Sequence, residues 1–269
     1  MIAPQFLSRP VLALVAAASL LSACAVAPEM SNPATTLTEE TRAMYAATVD
    51  NGIEVPAIED KYLSEARKRQ LVEYHAPHPA GTIVVDPGAK YLYHVQDGET
   101  AMRYLVAVGE QGRGFSGTAT VAFQRDWPYW TPTKNMLRRD PETYGPVKNG
   151  LPGGLENPLG ARALYLYRNG KDTLYRIHGT PSPWTVGHAT SSGCIRMFNQ
   201  DSIYLADQVS NGARVIVLPV SEAGKWTPGG IVTPDTTPDG TTEGTPVAEA
   251  PSTATDPAAR EVALLDSNA

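Results

Sequence analysis

The residues whose types and spacing bear on chemistry crowd into positions 176–201, RIHGTPSPWTVGHATSSGCIRMFNQD. This stretch holds one of the two cysteines and two of the five histidines in 269 residues. Cys194 lies sixteen residues after His178. The thiolate is the attacking form of cysteine, and a free thiol with a pKa of about 8.5 needs help to form it near neutrality. An imidazole gives that help by taking the proton or forming an ion pair. The small residues before Cys194 let backbone N–H groups converge on a developing oxyanion. The pattern reads as a Cys–His enzyme.

His-Gly-Thr at 178–180 followed by Ser-Ser-Gly-Cys-Ile-Arg-Met at 191–197 resembles the active-site signature of the L,D-transpeptidases, the YkuD family of bacterial cell-wall enzymes. The resemblance covers roughly residues 81–219. The common form has a His before the Gly-Cys pair, where this chain has Ser192. The resemblance implies Cys194 as nucleophile and His178 as base, with the carbonyl of Gly179 orienting the second ring nitrogen in place of the carboxylate of other triads. Gly193 and Cys194 would offer N–H groups to the oxyanion, with Ser191 and Ser192 as further donors near the thiol. Arg196 can grip a substrate carboxylate through its two-pronged guanidinium, or pair structurally with Asp201. His188, in the flap between the two halves, either shapes the pocket or only packs. The implied substrate is a peptidoglycan stem tetrapeptide. Its terminal D-Ala would leave as the thioester forms, and an amine of another stem or of an envelope protein would resolve it. Water as acceptor would make the enzyme an L,D-carboxypeptidase. No cofactor or metal is implied. Two readings from other classes stand beside it: a zinc hydrolase using His178, His188 and Cys194, and a non-catalytic wall-binding lipoprotein.

The elements that must position these residues lie between two tails. Residues 1–24 read as an export signal, with Arg9, an apolar run over 11–20 and then Leu21-Ser22-Ala23-Cys24. Ten apolar residues are too few to span a bilayer, where about 20 are needed, but they suit a signal peptide. The ending resembles a lipobox, which would lipidate Cys24 and place the chain in the periplasm or cell envelope. Ala25 in the next position favours the outer membrane in a Gram-negative host. Cys194 is then a lone thiol in an oxidising compartment, which is easier to understand if it performs chemistry. Residues 25–80 are expected to be a linker and N-terminal extension, with 30–57 rich in Thr, Pro and small residues. Residues 58–74 fit either a partial helix or, at their end, an edge strand. The Pro-, Thr- and acid-rich end (220–269) is expected to be disordered.

Between the tails, short Val-, Ile-, Tyr- and Thr-rich runs predict strands at 82–86, 90–95, 102–108, 118–123, 162–167, 173–177 and 214–218. Turn residues punctuate them at 86–89, 96–98 and 168–171. This is a mainly β, sandwich- or barrel-like domain with one short helix after Cys194. Asn199 or Asp201 would cap that helix, Ile203, Ala206 and Val209 would share a face, and Gly212 would end it. Residues 125–160 carry two Trp among many Pro and Gly and read as a functional lid or binding loop; the resemblance implies that this segment overhangs the catalytic cleft. Trp130 is its candidate substrate contact; alternatively Trp127 and Trp130 pack into the core. The net charge of −6 and the absence of any Lys/Arg cluster argue against nucleic acid.

Overall fold

The computed structural model describes residues 36–109, 116–191 and 193–229. The export signal with Cys24, Ser192 and the tail from residue 230 lie outside the described residues. Among the described residues no helix is long and apolar enough to cross a membrane.

The order is α1 (Glu39–Met44), β1 (Thr48–Asp50), β2 (Ile53–Val55), β3 (Gln70–Glu73), β4 (Ile83–Asp86), β5 (Tyr91–Val95), β6 (Thr100–Leu105) and β7 (Val108–Gly109). Then follow β8 (Gly117–Asp126), α2 (Lys134–Arg139), α3 (Pro141–Tyr144), β9 (Arg162–Arg168), β10 (Lys171–His178), β11 (Ala189–Ser191), β12 (Ile195–Arg196), α4 (Asn199–Gln208) and β13 (Arg214–Val217). Nine strands form one sheet in the order β12-β10-β9-β8-β13-β4-β5-β6-β3. It is antiparallel except at β10–β12 and β13–β4. All seven predicted strands are present. The predicted turns join them, and Asn169 takes a positive φ of 51° in the β9–β10 hairpin. The run predicted over 102–108 is broken, since β6 ends at Leu105 and β7 pairs separately with β11.

The sheet curls until its ends meet. Ala107, just past β6, exchanges both backbone hydrogen bonds with Arg196 of β12, at 2.8 and 2.9 Å. Inside the curl, Ile83 and Val85 of β4, Leu164 and Leu166 of β9 and Ile177 of β10 pack with Leu205 of α4. The outer face is also covered, in two parts. Val84, Tyr93 and Leu105 lie under Leu37, Tyr45, Leu63 and Tyr74 of the N-terminal segment. Phe123 and Tyr165 lie under Trp130, Met136 and Tyr144 of the segment joining β8 to β9. Each large apolar side chain so buried contributes about 1.5–3 kcal/mol before the entropy of ordering it is counted. Burial on both faces is why these strands read as continuous apolar runs rather than alternating ones.

Three expectations change, and one open alternative is decided. Residues 36–57 are not a linker: Thr38 caps α1 through its hydroxyl at 3.2 Å, and β1 and β2 form a hairpin. Its strand-end Asp50 grips Arg162 with two bonds, at 2.6 and 2.8 Å. The ambiguous stretch 58–74 ends as β3, an edge strand of the large sheet. The start of the tail is folded too, with Trp226 edge-on to Tyr74 at 6.2 Å and to His78 at 5.0 Å. Finally, α4 ends at Gln208, with Val209 as its C-cap, and Phe198 occupies the N-cap position without a side-chain bond. Asn199 and Asp201 point elsewhere because both have buried partners; the helix buries Ser202 and Leu205, while Ala206 and Val209 of the expected face pack with the same core and Ile203 is only partly buried.

Candidate active site

His178 ends β10, and Cys194 directly precedes β12. The two strands are parallel, with Ile177 level with Ile195 and His178 level with Arg196. Both isoleucines face the inner core. Strand alternation therefore turns His178 and Arg196 to the other face, and Cys194, two positions before Arg196, falls on that same side. A backbone bond from Met197 N to His178 O, 2.9 Å, locks the register. Gly193 precedes the thiol at φ 143°, a backbone angle that glycine adopts at little cost.

His178 is fully buried and Cys194 is 7% exposed. Nδ1 of His178 lies 2.6 Å from the carbonyl oxygen of Gly179. A carbonyl only accepts, so Nδ1 carries the proton and donates it. Nε2 is left with its lone pair, buried, and without a hydrogen-bond partner among the described residues. Burial drives the imidazole pKa down to about 3; the Arg196 and Arg176 charges push the same way, and the Gly179 bond opposes them. The ring is thus a neutral base near neutrality, suited to receive a thiol proton and not to hold a resting ion pair. The phenol of Tyr175 lies within electrostatic reach of Cys194, and its pKa is raised first of all by burial. Nothing in the sequence pattern singles Tyr175 out.

The supports are packed tightly. A Cβ at Gly179 would collide with Oδ1 of Asn199, and so would one at Gly160, which sits at φ 62°. That oxygen accepts the N–H of Ala161 at 3.0 Å. Asn199 therefore props the turn behind His178 instead of capping α4. Arg176 is clamped to Asp172 by two bonds of 2.7 Å and stacks on Tyr165 at 4.1 Å. Asp201, fully buried, meets Arg69 at 2.9 Å and the Tyr45 hydroxyl at 3.2 Å. Its pKa is nonetheless raised to about 6, because desolvation outweighs those two partners. Short contacts to a cation and a hydroxyl mark it as ionised at neutral pH, which a value of about 6 still allows.

The structure brings Cys194, His178, Gly179, Gly193 and Arg196 together. Arg196 is buried, while the partner of Asp201 is Arg69. Ser191 lies in β11, level with Gly109. His188 is exposed, and its carbonyl accepts the N–H of Val108 at 3.2 Å. No group of three His, Cys, Asp or Glu side chains among the described residues could hold a metal ion, so the zinc reading lacks a donor set. Trp130 is corrected: at 2% exposure it fills the layer over β8 and β9, where its backbone bridges Leu151, and it is core rather than a surface for substrate. The segment around it is not structureless either, since it contains α2 and α3, capped by Thr133 and Asp140.

Comparison with known proteins agrees with this geometry. The family profile of the L,D-transpeptidase catalytic domain, YkuD, matches residues 80–217. The Salmonella typhimurium protein ErfK/SrfK, named a probable L,D-transpeptidase, is 31% identical over 186 residues, covering 67% of this chain and 59% of its own. Bacillus subtilis YkuD, which carries the L,D-transpeptidase name, is 32% identical over 170 residues, covering 63% of this chain and 76% of its own. The chain thus spans under three fifths of the enterobacterial relative. A crystal structure of a Brucella melitensis protein called a probable carnitine operon oxidoreductase shares 50% identity over 56% of this chain and 93% of its own. Its TM-score is 0.40, and its name lends nothing to the reading of this site.

Proposed function

The chain belongs to the L,D-transpeptidase (YkuD) family, and we propose that it is a cysteine-dependent peptidoglycan L,D-transpeptidase acting in the cell envelope. One observation carries this reading: a buried, neutral His178 whose Nδ1 is held by Gly179 and whose unpartnered Nε2 stands on the strand paired with that of Cys194. Nε2 takes the thiol proton as Sγ attacks the amide carbonyl between the third stem residue, a diamino acid, and the terminal D-Ala. The new C–S bond forms, the carbonyl electrons move to oxygen, and the N–H groups of Gly193 and Cys194 stabilise that charge. As the C–N bond breaks, His178 returns its proton to the departing D-Ala amine. An amine from a neighbouring stem or an envelope protein then attacks the thioester and restores the thiol. No step draws on a metal or organic cofactor. Arg196, level with His178, is suited to a substrate carboxylate. Lipidation at Cys24 would hold the enzyme at a membrane facing its substrate, the outer one in a Gram-negative host.

The test uses the purified chain with disaccharide tetrapeptide, with and without Cys194→Ala, read by mass spectrometry. A cross-linked dimer short of one D-Ala, absent in the variant, is expected. A tripeptide as the only product would turn the reading to an L,D-carboxypeptidase. No reaction, and no covalent carbapenem adduct on Cys194, would leave a wall-binding protein.

A further inference from the structure

The strand that carries His178 is not regular. Its hairpin with β9 turns through Asn169 and Gly170, at φ 51° and 70°, and a two-residue turn of this kind fixes the register of the strands it joins. That register pairs Lys171 with Arg168 and Asp172 with Tyr167, but it does not last. By Arg176, which pairs with Tyr165, four steps along β10 have answered two along β9. The bulge lies at residues 173–175, with Leu174 at φ 67°, a left-handed angle that is costly for a residue with a Cβ. Two side chains serve the backbone N–H groups inside it. Asp172 Oδ1 accepts the N–H of Leu174 at 2.7 Å. Thr173 Oγ1 accepts that of Tyr175 at 3.2 Å and donates to the Leu166 carbonyl. The same Asp172 carboxylate holds both terminal guanidinium nitrogens of Arg176, each at 2.7 Å.

The bulge decides where the base stands. Had the register of the turn run on, His178 would lie opposite Ala161, outside β9, instead of opposite Ala163. Two residues are roughly 7 Å of strand. Strand β12 would not follow, because Arg196 is pinned separately by Ala107, so His178 would leave its level with Arg196 and with the nearby thiol. The apolar pattern does not choose between the two registers. A slip of one residue turns every side chain to the other face, but a slip of two leaves Ile177 on the inner face and His178 on the outer. The choice falls on groups that fit one register alone. Arg176 stacks on Tyr165, its cross-strand neighbour, at 4.1 Å, and Asp172 fixes both Arg176 and the strained Leu174. We propose that Asp172 is a positioning residue for the reaction: by holding the bulge in β10 it sets His178 beside Cys194. The proposal rests on the transpeptidase reading for its substrate, whereas the pairing of thiol and base can be measured without one.

The first readout is the rate at which iodoacetamide alkylates Cys194 in the full chain, followed by mass spectrometry of the fragment that carries it. His178→Ala sets the floor. Asp172→Ala is expected to slow alkylation at neutral pH about fivefold, toward that floor, because the thiol loses its proton acceptor. With disaccharide tetrapeptide the same change should lower kcat about tenfold and leave KM unchanged, since it displaces the base and not the groups that hold the peptide. Adding Leu174→Gly should restore most of both rates, because glycine favours the left-handed angle and with it the bulged register. Leu174→Gly alone should leave kcat within about twofold. Unfolding midpoints show which variants are folded. Where Asp172→Ala is not, Asp172→Asn takes its place; it keeps an acceptor for Leu174 N and loses the charge that grips Arg176, so a smaller loss and the same rescue are expected. Rates unchanged by the Asp172 variants, or lowered and not restored by Leu174→Gly, would overturn the proposal. Alkylation that falls and recovers in this way, with no D-Ala release by the unsubstituted chain, would keep the positioning of His178 and sink the transpeptidase.

Discussion

The two layers that cover the outside of the sheet do the same job by opposite means. The segment between β8 and β9 is tied mainly to itself. Asn157 Nδ2 donates to Pro128 O at 2.8 Å and to Pro152 O at 3.0 Å, Leu159 N donates to Asn157 Oδ1 at 2.9 Å, and Trp130 bridges Leu151. The N-terminal layer is held by partners more than a hundred residues away: Asp50 by Arg162, Arg69 by Asp201, and the Pro56 carbonyl by Gln200 Nε2 at 2.9 Å. Those partners sit on β9, beside the His178 strand, and in the first turn of α4, just after Cys194. The lesson is that the first layer could be recut with little effect on the catalytic pair, whereas the second is fastened to the elements that aim it.

The comparison can be broken by experiment. Trp130→Ala should cost the most stability, about 3–5 kcal/mol in chemical denaturation, as expected for emptying a core indole site. Trp130→Phe should leave the stem-peptide KM unchanged, and a rise in KM without loss of stability would restore Trp130 as a substrate contact. Arg162→Ala should cost about 3 kcal/mol, because it leaves Asp50 half-buried without its cation. Unlike the tryptophan change, it should also lower kcat in the portion that stays folded. Asn157→Ala should cost about 2 kcal/mol by stranding carbonyls, with kcat unchanged.

The smallest effect is a slope. His178, with its pKa lowered to about 3, binds no proton in the fold between roughly pH 4 and 6.5, while the unfolded imidazole does. Its contribution to stability therefore falls as pH drops through that window. Asp201, raised to about 6, acts in reverse: the fold holds a proton that the unfolded carboxyl has shed, so its contribution falls as pH rises from about 4 to 6. The two nearly cancel. Asp201→Asn should expose the His178 limb, adding up to about 1.4 kcal/mol of lost stability per pH unit as pH is lowered from 6. Parallel slopes in urea titrations at pH 5 and 6 would refute the assignment.

Legibility followed the range of the interactions. The central strands could be read because Asp86-Pro87-Gly88 and Asn169-Gly170 punctuate apolar runs, and local turn chemistry is written in adjacent residues. Strands β7, β11 and β12 have two or three residues each and exist only because the curled sheet brings them together. The N-terminal layer looked like a linker since its order depends on Asp50 and Arg69, whose partners composition does not reveal. Cys194 and His178 stood out as a short motif. Trp130 was misplaced because an aromatic in a Pro-rich loop reads alike whether it faces solvent or core.

The backbone bridge between Ala107 and Arg196 has a consequence for how a peptide can enter. A strand at the margin of a sheet ordinarily offers free N–H and C=O groups to any extended chain. Here both groups of Arg196 are already spent on Ala107. An incoming stem therefore cannot zip onto the nucleophile's strand as an extra strand. It must be held by its side groups and termini, and selection among peptides falls to charge and shape rather than to main-chain pairing.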